Sequence, residues 1–323
     1  MNFRLPKLSE EIKDKDILKV FNANYSSFAI GWFDILFVWC TETYKKFNDH
    51  DKFLILVYIV KKTFDYYSKN FVNLTYDQFY SIQKIEIEKF NIVDISKILH
   101  ISKETTRRKI QELEKAGIIQ KNKKSLLVKK DALSLHNPTL VIDRIINFLS
   151  KFSKSCVENN IIDKEFTKEQ LRDVTNKNFS YVWKLWYDMF IPSIIEHKNN
   201  HDDLETFHIW SSIVINQTYE TNKYLSQRKI LITNRSEYVK LLTNIDEITG
   251  INAMSISNLT GIPRATTIRK LKKLIINKTI FIDNKKLYHL ELNSKKKFID
   301  IHLEVNKRIS IFTSQMFNLA KFN

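Results

Sequence analysis

Two short stretches of the chain share a Thr-Thr-x-Arg-Lys run at the same place, each among further cationic side chains. In ISKETTRRKIQELEKAGII, residues 101 to 119, Ser102, Lys103, Thr105, Arg107, Arg108 and Lys109 crowd together. In IPRATTIRKLKKLIINKTI, residues 262 to 280, Arg264, Thr266, Arg269, Lys270, Lys272 and Lys273 do the same. A guanidinium is a rigid fork of donors, an ammonium a point charge and a threonine hydroxyl both donor and acceptor, so such groups grip anionic oxygens. The whole chain leans the same way: 52 Lys and Arg against 36 Asp and Glu give a formal charge of +16, which makes a polyanion or an anionic membrane surface the first class of partner. A single Lys or Arg on a helix is ordinarily just solvated; only the clustered set points to an anionic partner.

Other chemistry finds little purchase. Four glycines in 323 residues form neither GxGxxG nor GxxxxGK, which argues against a phosphate-cradling nucleotide site and favours a mostly helical chain. Cys40 and Cys156 stand far apart without a CxxC, the usage of a reducing compartment without a disulfide or zinc framework. His197 and His201 lie four apart in HKNNHDD, but HExxH is absent and the Asn-rich flanks read as a solvated polar loop. Trp32, Trp39, Trp183, Trp186 and Trp210 fall at helical spacing, as core residues do. No Ser-His-Asp, Cys-His or paired-carboxylate set stands out, so the expectation is a non-enzyme with no cofactor and no metal. The apolar runs 28 to 40 and 53 to 60 are too short to span a bilayer, and the first residues lack the order of a signal peptide. A cytoplasmic, nucleoid-associated protein is expected.

The elements that must position these residues occur twice. Sliding the sequence by 161 pairs residues 95 to 119 with 256 to 280, matching Ile95, Ser96, Ile101, Thr105, Thr106, Arg108, Lys109, Leu113 and Ile119. GWFDILF at 31 to 37 resembles LWYDMFI at 185 to 191, and DRIINF at 143 to 148 resembles KRISIF at 307 to 312. Whole-domain duplication follows. In the first copy Asp94 or Ser96 is expected to cap a short helix, His100 and Ile101 to turn, and Ser102 to cap a second helix from Lys103 to about Lys115. Thr106, Ile110 and Leu113 recur at i, i+4 and i+7 and face the core. Gly117 suits a left-handed cap; IIQK, NKKS and LLVKK then read as two strands around a basic tip carrying Lys121, Lys123 and Lys124. The second copy runs through Pro263 at the first helical turn, then TIFI, DNKK and LYHLEL, with Lys285 and Lys286 at its tip.

That order resembles a winged helix-turn-helix. SKETTRRKIQELEKAGII looks like the recognition helix and first wing strand of bacterial regulators of the GntR and DeoR groups, and TGIPRATTIRKLKKL is similar to the IclR type. The resemblance covers 91 to 130 and 252 to 292; Thr106 replaces the usual buried aliphatic, and Lys278 stands where glycine would follow the helix. It implies double-stranded DNA as partner, with the second helix of each pair in the major groove and the wing against the backbone or minor groove. Ser102, Lys103, Thr105, Arg107, Arg108, Lys109, Lys121, Lys123 and Lys124, and in the second copy Arg264, Thr266, Arg269, Lys270, Lys272, Lys273, Lys285 and Lys286, would then meet phosphates and base edges.

The expected fold class is mainly α: two tandem helical domains, each with a winged helix-turn-helix and a short two-stranded wing. The first repeat is 1–158, with helices over 8–90, a winged helix over 91–130 and a closing helix over 138–156; the second is 159–323, with helices over 165–245, a winged helix over 252–292 and a closing helix over 298–320. The closing helices resemble in position the terminal helices by which MarR-like proteins dimerise. A sequence-specific transcriptional regulator acting as a pseudo-dimer is the expected function, with a homo-oligomer as a further option. A plasmid or phage replication initiator and a protein-interaction scaffold are the alternatives.

Overall fold

Few glycines and prolines interrupt this chain, and the helices it forms are correspondingly long. The computed structural model describes residues 7–88, 91–122, 125–135, 137–232, 235–244, 246–291 and 295–322. It is mainly helical, 73% helix against 6% strand. The first half runs α1 (Asp14–Ala23), α2 (Tyr25–Phe47), α3 (His50–Lys69), α4 (Tyr76–Ser81), β1 (Lys84–Glu88), α5 (Ile92–Leu99), α6 (Lys103–Lys115), β2 (Ile119–Lys121), β3 (Ser125–Lys129), α7 (Lys130–Leu135) and α8 (Thr139–Glu158). The second runs α9 (Lys168–Lys177), α10 (Phe179–His201), α11 (Leu204–Arg228), α12 (Arg235–Leu242), α13 (Ala253–Thr260), α14 (Arg264–Ile276), β4 (Ile280–Ile282), β5 (Tyr288–Leu290) and α15 (Lys295–Phe322).

Much of the order recurs, and four pairs of helices match in length. Helices α1 and α9 have 10 residues each, α2 and α10 have 23, α5 and α13 have 8, and α6 and α14 have 13. The breaks recur as well. Between α2 and α3 the backbone turns left-handed at Asn48 (φ 48°), and between α10 and α11 at Asp202 (φ 68°). Asp49 then accepts a bond from Lys52 N at 3.2 Å, and Asp203 one from Thr206 N at 2.7 Å, capping the helix that follows.

One strand lies where the sequence pattern suggests only helices. Lys84–Glu88 alternates, with Ile85 and Ile87 buried and Lys84 and Glu86 exposed, and it pairs antiparallel with β3 to give a sheet ordered β1-β3-β2. In the second half β4 pairs with β5, and the single bridge Ile251 to Tyr288 stands in the place of β1. Gly250 is required there: a Cβ would lie 2.5 Å from His289 Nε2 and 2.7 Å from the Tyr288 carbonyl oxygen.

Burial groups the chain into two compact units that differ from the successive halves. One comprises Met1–Val38, Leu140–Val174 and His208–Asn323, the other Trp39–Thr139 and Thr175–Phe207, so each draws on both repeats. The physical reason is where the apolar helix faces find cover. In the second unit α3 packs on α10, with Lys61 and Asp188 paired at 2.8 Å and the Trp39 and Phe190 rings 4.9 Å apart. In the first, α1 lies along α15, where Asn318 takes the Ile12 N–H at 2.8 Å and returns a bond to its carbonyl at 2.9 Å. Phe152 fills the space between Phe28 and Phe317.

All five tryptophans are buried core, as their spacing predicts. The histidine pair is a correction. His197 and His201 belong to the last turns of α10 rather than to a solvated loop; both are buried, and the His197 ring stacks on Phe207 at 4.5 Å. The apolar turns before them carry the helix through the polar letters.

Candidate nucleic-acid interface

Each half presents a helix pair followed by a β-ribbon. In the first pair Asn91, not Asp94 or Ser96, caps α5 by accepting from Val93 N at 3.0 Å. Ser96 serves the turn instead: its hydroxyl donates to the Ile101 carbonyl at 2.6 Å, as Ser257 donates to that of Ile262 at 2.7 Å. Thr106 and Thr267, both fully buried, donate to the same two carbonyls at 3.4 and 3.1 Å. A threonine in place of an aliphatic therefore ties the second helix to the turn, twice over. His100 (φ 50°) and Gly261 (φ 71°) occupy the left-handed position of that turn.

The second helices end alike. Gly117 (φ 71°) and Lys278 (φ 53°) both take the left-handed conformation, and Ile118 N and Thr279 N bond back to Leu113 and Leu274 at 3.0 and 3.1 Å. Lys278 thus adopts the geometry that glycine favours, at the steric cost of a Cβ. Ser102 caps α6 as expected, accepting from Thr105 N at 3.2 Å, whereas Pro263 stands at the cap of α14 and supplies no side-chain oxygen.

The expected contact residues divide into three groups. Ser102, Lys103, Arg107 and Arg108 are exposed on α6, and Arg264, Arg269, Lys272 and Lys273 on α14, while Thr105 and Thr266 are half-buried beside them. Lys121, Lys285 and Lys286 are exposed on the ribbons; Lys123 and Lys124 lie outside the described residues. Lys109 and Lys270 are corrections, each only 8% exposed. Their positions, three residues after Thr106 and Thr267, put them on the core side of the helix. The Lys109 ammonium is spent on Asp49 at the start of α3.

The three carboxylates of α6 are all paired with cations, and Arg108 also lies 3.9 Å from Glu112. Arg107 meets Glu104 at 2.9 Å, which holds the guanidinium's pKa above its ordinary value. Lys121 meets Glu114 at 2.8 Å, and Lys52 meets Glu112 at 2.6 Å; in each case the hydrogen bond from the lysine, more than its charge, lowers the carboxyl pKa. Among the described residues Arg264, Arg269 and Lys272 of α14 make no ion pair. At the tip of the second hairpin the Asp283 carboxylate is turned inward: Oδ1 accepts from Lys285 N and Leu287 N at 2.9 Å each, and Oδ2 faces His289 Nε2 at 3.1 Å. Those backbone donors, Leu287 first, lower its pKa. Lys285 and Lys286 are left at the tip facing solvent.

Positioning residues that act at long range carry no sequence signal. Lys198 of α10 pairs with Asp51 at 2.9 Å and donates to the Leu99 carbonyl at 3.3 Å, gripping the end of α5, and Asn199 meets His100 Nδ1 at 2.9 Å. In the other unit the buried Gln217 of α11 accepts from Leu290 N at 2.6 Å and donates to the Leu242 carbonyl at 3.1 Å, fixing the second ribbon. No local pattern marks these residues, because each acts on a partner 25 or more positions away. Among the described residues no helix is long and apolar enough to cross a membrane. No protein-family model, no curated protein and no solved structure matches the chain.

Proposed function

We propose that the chain is a non-enzymatic, sequence-specific DNA-binding regulator of transcription that carries two winged helix-turn-helix units as a built-in pseudo-dimer. In this reading α6 and α14 enter the major groove, and the ribbons β2-β3 and β4-β5 are the wings. The observation that carries it is the recurrence of one unit: a helix pair of 8 and 13 residues, a left-handed turn, and an antiparallel ribbon, with exposed arginine and lysine on the second helix each time. The sheet order β1-β3-β2 supports it further, since a strand from before the helix pair sits where a wing needs a third partner.

Charge decides between this reading and a protein-interaction scaffold. Six or more phosphate contacts weaken duplex binding on the order of a thousandfold between 50 and 200 mM salt, because condensed counterions are released on binding. Anisotropy titration of a labelled mixed-sequence duplex at those two salts is expected to show that loss. Binding that is absent, or insensitive to salt, would turn the assignment towards a protein partner. Because α6 and α14 differ in sequence, the bound site should be asymmetric, and footprinting should reveal it.

A further inference from the structure

The exposed stripes of the two second helices speak different chemical languages. On α6 the residues at i, i+3, i+4 and i+7 are Glu104, Arg107, Arg108 and Gln111, all exposed. Their equivalents on α14 are Ala265, Ile268, Arg269 and Lys272. Over their full 13 residues both helices carry five cations, but α6 also carries three carboxylates and α14 none. Of the carboxylates, Glu112 and Glu114 are engaged by Lys52 and Lys121 from outside the helix, whereas Glu104, 75% exposed in the first turn, pairs at 2.9 Å with Arg107 of the same exposed stripe.

A carboxylate is an acceptor only, and against a phosphate chain it is repelled wherever it lies. It is satisfied on a duplex only by an amino group on a base edge, above all cytosine N4; a glutamine amide in the same groove suits adenine, and arginine suits guanine. The stripe of α6 therefore holds groups that discriminate among bases. The stripe of α14 offers no acceptor for a base amino group, and its cations can grip phosphates wherever they lie.

Resting on the DNA-binding reading, we propose that the two helix pairs divide the work: Glu104 and Gln111 of α6 are specificity-determining residues, and Arg269 and Lys272 of α14, with Arg264, supply sequence-independent phosphate anchorage. Gln111 becomes a contact residue on this account.

The test uses the full chain and two duplexes, one selected by wild type from a random pool and one of scrambled sequence, each titrated across salt. Glu104→Ala and Gln111→Ala are expected to cut the preference for the selected duplex on the order of tenfold while leaving the salt dependence unchanged. Glu104→Ala should bind the scrambled duplex as well as wild type or better, since a repelled charge is gone. Arg269→Ala with Lys272→Ala should weaken both duplexes alike and lower the slope of log affinity against log salt by about 0.9 for each phosphate no longer neutralised. All four side chains are solvent-exposed, so unchanged thermal unfolding is the control on folding, with Glu104→Gln as a second, isosteric variant. The division of labour is overturned if the α6 variants weaken both duplexes equally, or if the α14 variants change the preference and not the slope. Failure of the underlying reading looks different: wild type would show neither a selected sequence nor a salt slope.

Discussion

His50 is a residue at which the fold should feel acid. It is 2% exposed at the head of α3, its ring 5.3 Å from that of Tyr44, and burial outweighs the neighbouring Asp49 and the Cys40 carbonyl, so its pKa is lowered to about 4. In the unfolded chain the imidazole takes its proton near pH 6.5. Between those values the unfolded state binds more protons than the folded one, so stability falls as pH falls from about 6.5 to about 4, by on the order of 3 kcal/mol in total. His50→Phe keeps a ring against Tyr44 and should remove most of that loss, read as the difference in urea midpoint between pH 7 and pH 5; an unchanged difference would assign it to another group. The type of residue was legible here, but its burial was not, because polar letters surround it in FNDHDK. The burial of Lys109 and Lys270 was legible: three residues after a core threonine is the core side, and only the habit of reading every lysine as solvated hides it.

At the scale of elements, the second helix of the first pair is held from behind. Lys109 on α6 meets Asp49, the capping residue of α3, and Lys52 of α3 meets Glu112 of α6. Removing one member of a buried pair costs more when the survivor is the deeper charge. Asp49→Ala strands the Lys109 ammonium and deletes a helix cap, so a loss of about 3–5 kcal/mol is expected. Lys109→Met leaves Asp49 its bond to Lys52 N and should cost clearly less, about 1–2 kcal/mol. Denaturant unfolding of both variants decides this, and equal losses would mean that the pair does not bind the helix to its support. The helix pairs and ribbons were legible because caps, turns and period are local signals. Strand β1 could have been read from the alternation in KIEIE, whereas Lys198 and Gln217, which brace the turn and the second ribbon, leave no local mark.

For the whole molecule, the repeat was legible and its packing was not. Identities at a spacing of 161 point to recurring elements, and the helices of the two pairs have equal lengths. An amphipathic face, however, does not name what covers it, and here the compact units take helices from both repeats. Each unit carries the same presentation, a basic second helix with a ribbon behind it, which is the ground for proposing a DNA reader. The most direct measurement is selection of bound duplexes from a random pool by wild type, Arg108→Ala and Arg269→Ala. Wild type is expected to enrich a defined sequence, Arg108→Ala to lose part of it, and Arg269→Ala to retain less duplex with the sequence preference intact. A wild-type pool no different from the input would contradict the DNA-binding reading.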